Sequence, residues 1–228
     1  MKPTAAIAAA ALALAGCASG PVPPEWQMNA HGALGNYLTA YLTGNTRVAE
    51  LELARARSEI ASTGRADLLG RAELTRCAAQ VASLDFSDCT PFQPLAADAG
   101  AGERAYADFL AGRWTALDAA RLPPQYRSLA SAGGAGAAAA NPLGGIQDPM
   151  SRLVAAGALF RMGRLSPAGI AAATETASAQ GWRRPLLAWL GVQARLAETD
   201  GDTEAAARLR RRIGIATGAA TTGAAGPR

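Results

Sequence analysis

Residues 184–213 read RPLLAWLGVQARLAETDGDTEAAARLRRRI, the pattern of two helices joined by a tight turn. Its first half carries Leu186, Leu187, Trp189, Leu190, Val192 and Leu196, which at helical spacing cover most of a helix's circumference. A helix apolar on several sides is one stacked between neighbours rather than laid on a surface. Asp200-Gly201 then supplies a turn, Asp202 an N-cap, and Glu204 a negative charge in the first turn of the next helix. The pattern predicts a hairpin of helices, Arg184–Glu198 and Asp202–Ile213. A second hairpin precedes it, Met150–Gly163 and Pro167–Gln180, and turns at Gly163 as the other turns at Gly201.

The composition supports an all-α chain. Alanine accounts for 58 of the 228 residues, so the 50% hydrophobic fraction overstates the large apolar surface available. Alanine and leucine outnumber the β-branched residues, which favours helix at every uncommitted position. Upstream, Pro23-Pro24 opens a helix from Glu25 to Leu42 that stops at Gly44-Asn45. A second, from Thr46, carries Ala49, Leu53, Ala56 and Ile60 on one face, with Arg55, Arg57 and Glu59 turned mostly outward. A third, from near Asp67, repeats Leu74, Cys77, Val81 and Leu84.

Glu103–Ala111 is a short helix with Tyr106, Phe109 and Leu110 inward, Arg113–Ala120 resumes it around Trp114 and Leu117, and Pro123-Pro124 starts a further turn holding Tyr126 and Leu129. Residues 25–131 thus read as an antiparallel helical bundle. Residues 132–149, rich in glycine and alanine, read as a flexible linker, 150–213 as the hairpins, and 214–228 as a disordered tail.

The N-terminus carries an address. A positive start, Met1 to Thr4, and the apolar run AAIAAAALALA (residues 5–15) fit a secretory signal and are too short to span a bilayer. The run ends in Leu14-Ala15-Gly16-Cys17, which resembles the lipobox of bacterial lipoproteins. The resemblance implies that residues 1–16 are a signal peptide, that the Cys17 thiol and amine are acylated, and that residues 17–24 tether the chain to a membrane. Several acyl chains hold far more firmly than one. Ala18, where a retained lipoprotein has Asp, implies the outer membrane, facing the periplasm. The two C-terminal hairpins, with Pro185, Leu190-Gly191, Ala205 and Leu209, resemble tetratricopeptide-type helical repeats over roughly 65 residues.

Beyond Cys17, Cys77 and Cys89 remain. In an oxidising compartment this pair is expected to form a structural disulfide, contributing about 3 kcal/mol by the chain-entropy model. Its spacing suits neither a zinc knuckle nor a Cys-x-x-Cys redox pair. His31 is the only histidine, which excludes a histidine-rich metal site and reads as a polar surface or interhelical residue. Asp200, Asp202 and Glu204 match the start of a calcium loop, but Ala205 replaces the required glycine and Arg211 the closing glutamate. The run Gly133-Gly134-Ala135-Gly136 has no following lysine, so a phosphate loop fails.

All 21 basic residues after Lys2 are arginine, against 18 acidic ones, a balance that does not point to nucleic acid. Arg208, Arg211 and Arg212 share a side of the last helix and suit an acidic partner or phosphates, although cations also favour a helix C-terminus. These readings converge on a cofactor-free, non-enzymatic lipoprotein that binds another envelope protein. The alternatives are a cell-wall glycan hydrolase using acids such as Asp108 or Asp118 in a helical cleft, and a structural lipoprotein without a single partner.

Overall fold

The computed structural model describes residues 22–87, 89–132 and 143–219, and the described residues contain helices and turns but no strand. The signal segment, Cys17, Asp88, the glycine run at 133–136 and the final residues 220–228 lie outside them. The order is α1 (Glu25–Thr43), α2 (Thr46–Ala61), α3 (Ala66–Ala82), a 3-10 turn (Thr90–Leu95), α4 (Ala101–Leu110), a 3-10 turn (Ala119–Arg121), α5 (Pro124–Ser131), α6 (Pro149–Arg161), α7 (Pro167–Ala179), α8 (Arg183–Thr199) and α9 (Thr203–Thr217).

The first hairpin forms as its punctuation dictates. Gly44 ends α1 at φ 90°, in the left-handed region, and its neighbour Asn45 caps α2 by accepting from the Val48 N–H at 3.3 Å. Side-chain bonds Asn29 to Glu59 and Asn36 to Glu52 fix the antiparallel register. The face of Ala30, Ala33, Tyr37 and Ala40 then meets Ala49, Leu53, Ala56 and Ile60, all buried.

Small residues also set the contact between α3 and α6. Gly157 lies so close to the Val81 carbonyl that a Cβ there would stand 2.8 Å from the carbonyl carbon and closer still to its oxygen. Around it Ala155, Ala156 and Ala158 on α6, with Ala79 and Ala82 on α3, are fully buried. The alanine content is therefore the means by which helices approach at backbone range, where dispersion contacts are dense. The Trp189 indole N–H on α8 donates to the Ala82 carbonyl at 3.1 Å, tying the C-terminal hairpins to the end of α3. Arg184 adds a second tie, donating to the Tyr41 carbonyl and to the Thr46 hydroxyl, each at 2.7 Å, while lying 4.3 Å from the Tyr41 ring centre.

Several expectations change. The stretch 113–120 does not resume a helix: Gly112, at φ 72°, breaks the chain, and Trp114 turns back to donate its indole N–H to the Phe109 carbonyl. Phe109, wholly buried, stacks on Trp114 and Tyr126 with ring centres 4.8 and 4.7 Å apart. Leu84, expected on the apolar stripe of α3, sits beyond its end with φ 59°. Residues 143–149 are not a loose linker, because Leu143 and Ile146 are buried in the same core as Leu74, Phe109 and Trp189. The main core accordingly runs from α3, α4 and α5 into α6, α7 and α8, while α1 and α2 pack on α3 in two smaller clusters. The last helix runs four residues beyond Ile213, to Thr217, so the tail does not begin at 214.

Cys77 and Cys89 face each other at disulfide distance, with Cα atoms 5.7 Å apart. The bridge brings Thr90–Leu95 back across α3, where Phe92 packs against Gly70. Peptide maps with and without reductant are expected to differ by one linked pair of peptides, and Cys89→Ser to cost about 3 kcal/mol in chemical unfolding. Free thiols at both positions in protein recovered from cells without reductant would remove this staple.

Candidate functional site

Two of the arginines singled out in the last helix, Arg208 and Arg212, border a groove between α7, α8 and α9 of about 560 Å³. Local sequence builds its walls. Ser166 caps α7 by accepting from the Gly169 N–H, Gly201 turns at φ 75°, and Asp202 caps α9 by accepting from the Ala205 N–H at 2.8 Å. Ile170, Leu196 and Leu209 form an apolar floor, with Leu196 still 38% exposed. Asp200, Asp202, Arg208 and Arg212 stand at the rim. An exposed leucine inside a mixed-charge rim favours contact with another chain.

Of the three arginines expected to act together, the groove takes two. Arg208 pairs with Glu204, and Arg212 Nη2 pairs with Glu175 of α7 at 3.0 Å. Arg211 is exposed, does not line the groove, and has no ion pair among the described residues. Arg210, not singled out from the sequence, bridges α9 to α8 through Glu198 at 2.6 Å.

The carboxylates considered for hydrolysis do not converge. Asp108 lines a pocket of about 350 Å³ beside the disulfide, and its Oδ1 accepts from Arg113 Nε at 3.0 Å and Nη2 at 2.7 Å. Asp118 lies on a different groove, where it accepts from the Ala120 N–H and from Arg121 Nε at 2.9 Å. Among the described lining residues, neither space holds a second carboxylate. Asp85 caps the turn after Leu84, accepting from the Ser87 N–H at 3.1 Å. His31 is exposed on α1, and no group of three or more His, Cys, Asp or Glu converges on a metal position among the described residues.

Sequence reasoning missed the one strongly buried acid among the described residues. Glu73, on α3, is 3% exposed and accepts from Arg57 of α2 at 2.5 and 2.8 Å and from Arg76 Nε at 3.1 Å. Burial pushes its carboxyl up, but the two guanidinia more than offset that and hold it below the ordinary value. Arg57 had been placed outward. Its partner lies 16 positions away on another helix, a pairing without a local signal.

Compared with protein-family models, curated proteins and solved structures, the chain matches none of them.

Proposed function

We propose that this chain is a lipid-anchored, non-enzymatic interaction module of the bacterial envelope, held by Cys17 in the outer membrane and facing the periplasm. The groove of α7, α8 and α9 carries this reading: an apolar floor on which Leu196 is exposed and Leu209 half-exposed above the buried Ile170, between acidic and basic rims. Such a surface takes a segment of another protein, with apolar contact for affinity and charge for register. No helix among the described residues is long and apolar enough to cross a membrane, so attachment in this reading falls to the acylated Cys17. The hairpin stacking that resembles tetratricopeptide repeats fits the same role, since stacked hairpins present extended faces.

The test is crosslinking in cells followed by purification of the acylated protein, against a tagged lipoprotein bearing the same signal. A stoichiometric envelope partner is expected, lost in Leu196→Asp, with the protein moving to the soluble fraction in Cys17→Ser. Capture indifferent to Leu196→Asp would overturn the groove, and membrane attachment surviving Cys17→Ser would overturn the anchor.

A further inference from the structure

A separate cavity of about 430 Å³ opens between α3, α4 and the start of α5, distinct from the α7–α9 groove. Its floor is apolar: Leu74 and Leu122 are 3% and 1% exposed, and the Tyr106 ring joins them. Tyr106 is itself fixed, stacked on Phe109 and Tyr126. Burial pushes its phenol well above the usual range, so it presents a neutral ring and no competing negative charge.

Three guanidinia, Arg71 from α3 and the neighbouring Arg121 and Arg127 from the start of the α5 region, line this cavity, and each is fastened by its Nε alone. Arg71 Nε donates to Glu103 at 2.7 Å, Arg121 Nε to Asp118 at 2.9 Å, and Arg127 Nε to the Leu122 carbonyl at 2.8 Å. Among the described residues none accepts a hydrogen bond from their terminal Nη groups. The charges do not cancel either: Glu103 answers Arg71 and Asp118 answers Arg121, but Arg127 faces only a carbonyl. An anchored guanidinium has already lost much of its rotamer freedom, and its remaining N–H edge matches a carboxylate, sulfonate or phosphate. A cavity of a few hundred Å³ with an apolar floor and a few placed polar groups is the usual form of a small-ligand site.

We propose that this cavity binds a small amphiphile, its apolar or aromatic body on Leu74, Leu122 and Tyr106 and its single anionic head on Arg127, assisted by Arg71 and Arg121. The site lies apart from the α7–α9 groove and does not depend on the adaptor reading. The head is defined by chemistry common to free acids and to lipid headgroups.

The test titrates the full chain with anilinonaphthalene sulfonate and, in parallel, with the uncharged phenylnaphthylamine. The sulfonate is expected to bind saturably at one site. Arg127→Gln is expected to weaken it about tenfold, the equivalent of about 1.4 kcal/mol, while leaving the uncharged probe unchanged. Arg113→Gln, at the disulfide-side pocket, serves as the control and is expected to alter neither. Displacement by dodecanoate identifies a free acid as sufficient, and displacement only by phosphatidylglycerol vesicles assigns the head to a lipid. Equal affinity for both probes, or sulfonate binding unmoved by Arg127→Gln, overturns the proposal; because Arg127 is exposed, the variant is expected to fold.

Discussion

Gly157→Ala is expected to lower the unfolding free energy by about 3 kcal/mol, a large effect for one methyl group. Alanine is the better helix former by about 1 kcal/mol, so local propensity alone predicts the opposite sign. The added Cβ meets the Val81 carbonyl, however, and a carbonyl in the ladder of α3 cannot swing aside as a flexible side chain does. The helices must separate, and the buried alanines on both sides lose their contacts together. Gly191→Ala is the matched control, since a Cβ on Gly191 in α8 meets nothing within 4 Å. Urea midpoints should move down in the first variant and hold or rise in the second. An unchanged midpoint for Gly157→Ala would mean that α3 and α6 do not meet at this register.

The second large effect concerns Glu73. Glu73→Gln leaves Arg76, whose side chain is 15% exposed, beside an amide instead of a carboxylate, and breaking such a buried pair costs about 3 kcal/mol. The figure sits at the lower end of the usual range because Arg57, 37% exposed, regains water. The pH dependence has a definite sign. A carboxyl held below its unfolded value, near 4.5, contributes stability that is complete above that pH and is lost as pH falls through the folded value. The wild-type chain should therefore lose stability below about pH 4.5, and that acid slope should shrink in Glu73→Gln. Equal slopes in the two proteins would place the acid sensitivity elsewhere.

Much of the fold is legible in the sequence because its signals are local. Gly44-Asn45, Asp202 and Pro124 act within a few residues, and the apolar spacing of Ala49, Leu53, Ala56 and Ile60 reads directly as a buried face. The disulfide geometry of Cys77 and Cys89 follows similarly from a short separation. Illegible were the features made by distance in sequence. Leu143 and Ile146 look like isolated apolar residues in a glycine-rich stretch, and only the core formed by α3, α4 and α6 explains their burial. Arg71 joins Arg121 and Arg127 in one cavity only because α3 packs near the turn that leads into α5. Helical spacing puts Arg208, Arg211 and Arg212 on one side of α9, but it gives no means of finding Glu175, the acid of α7 that Arg212 meets, or of telling that Arg211 does not line the groove.

The bond from the Trp189 indole to the Ala82 carbonyl has a consequence for biogenesis. Its two ends are 107 positions apart, and those of the Arg184 to Tyr41 bond are 143 apart. The end of α3 therefore waits for a partner that is synthesised much later, and closing so long a loop is slow. Until α6 and α8 arrive, the small-residue face at the end of α3 lies open, which exposes the nascent chain to association with others. Timing of α6 and α8, rather than strength of the first helical pair, then sets when the molecule becomes safe from aggregation, and a truncation before Trp189 yields a chain that begins to fold but has nothing to finish on.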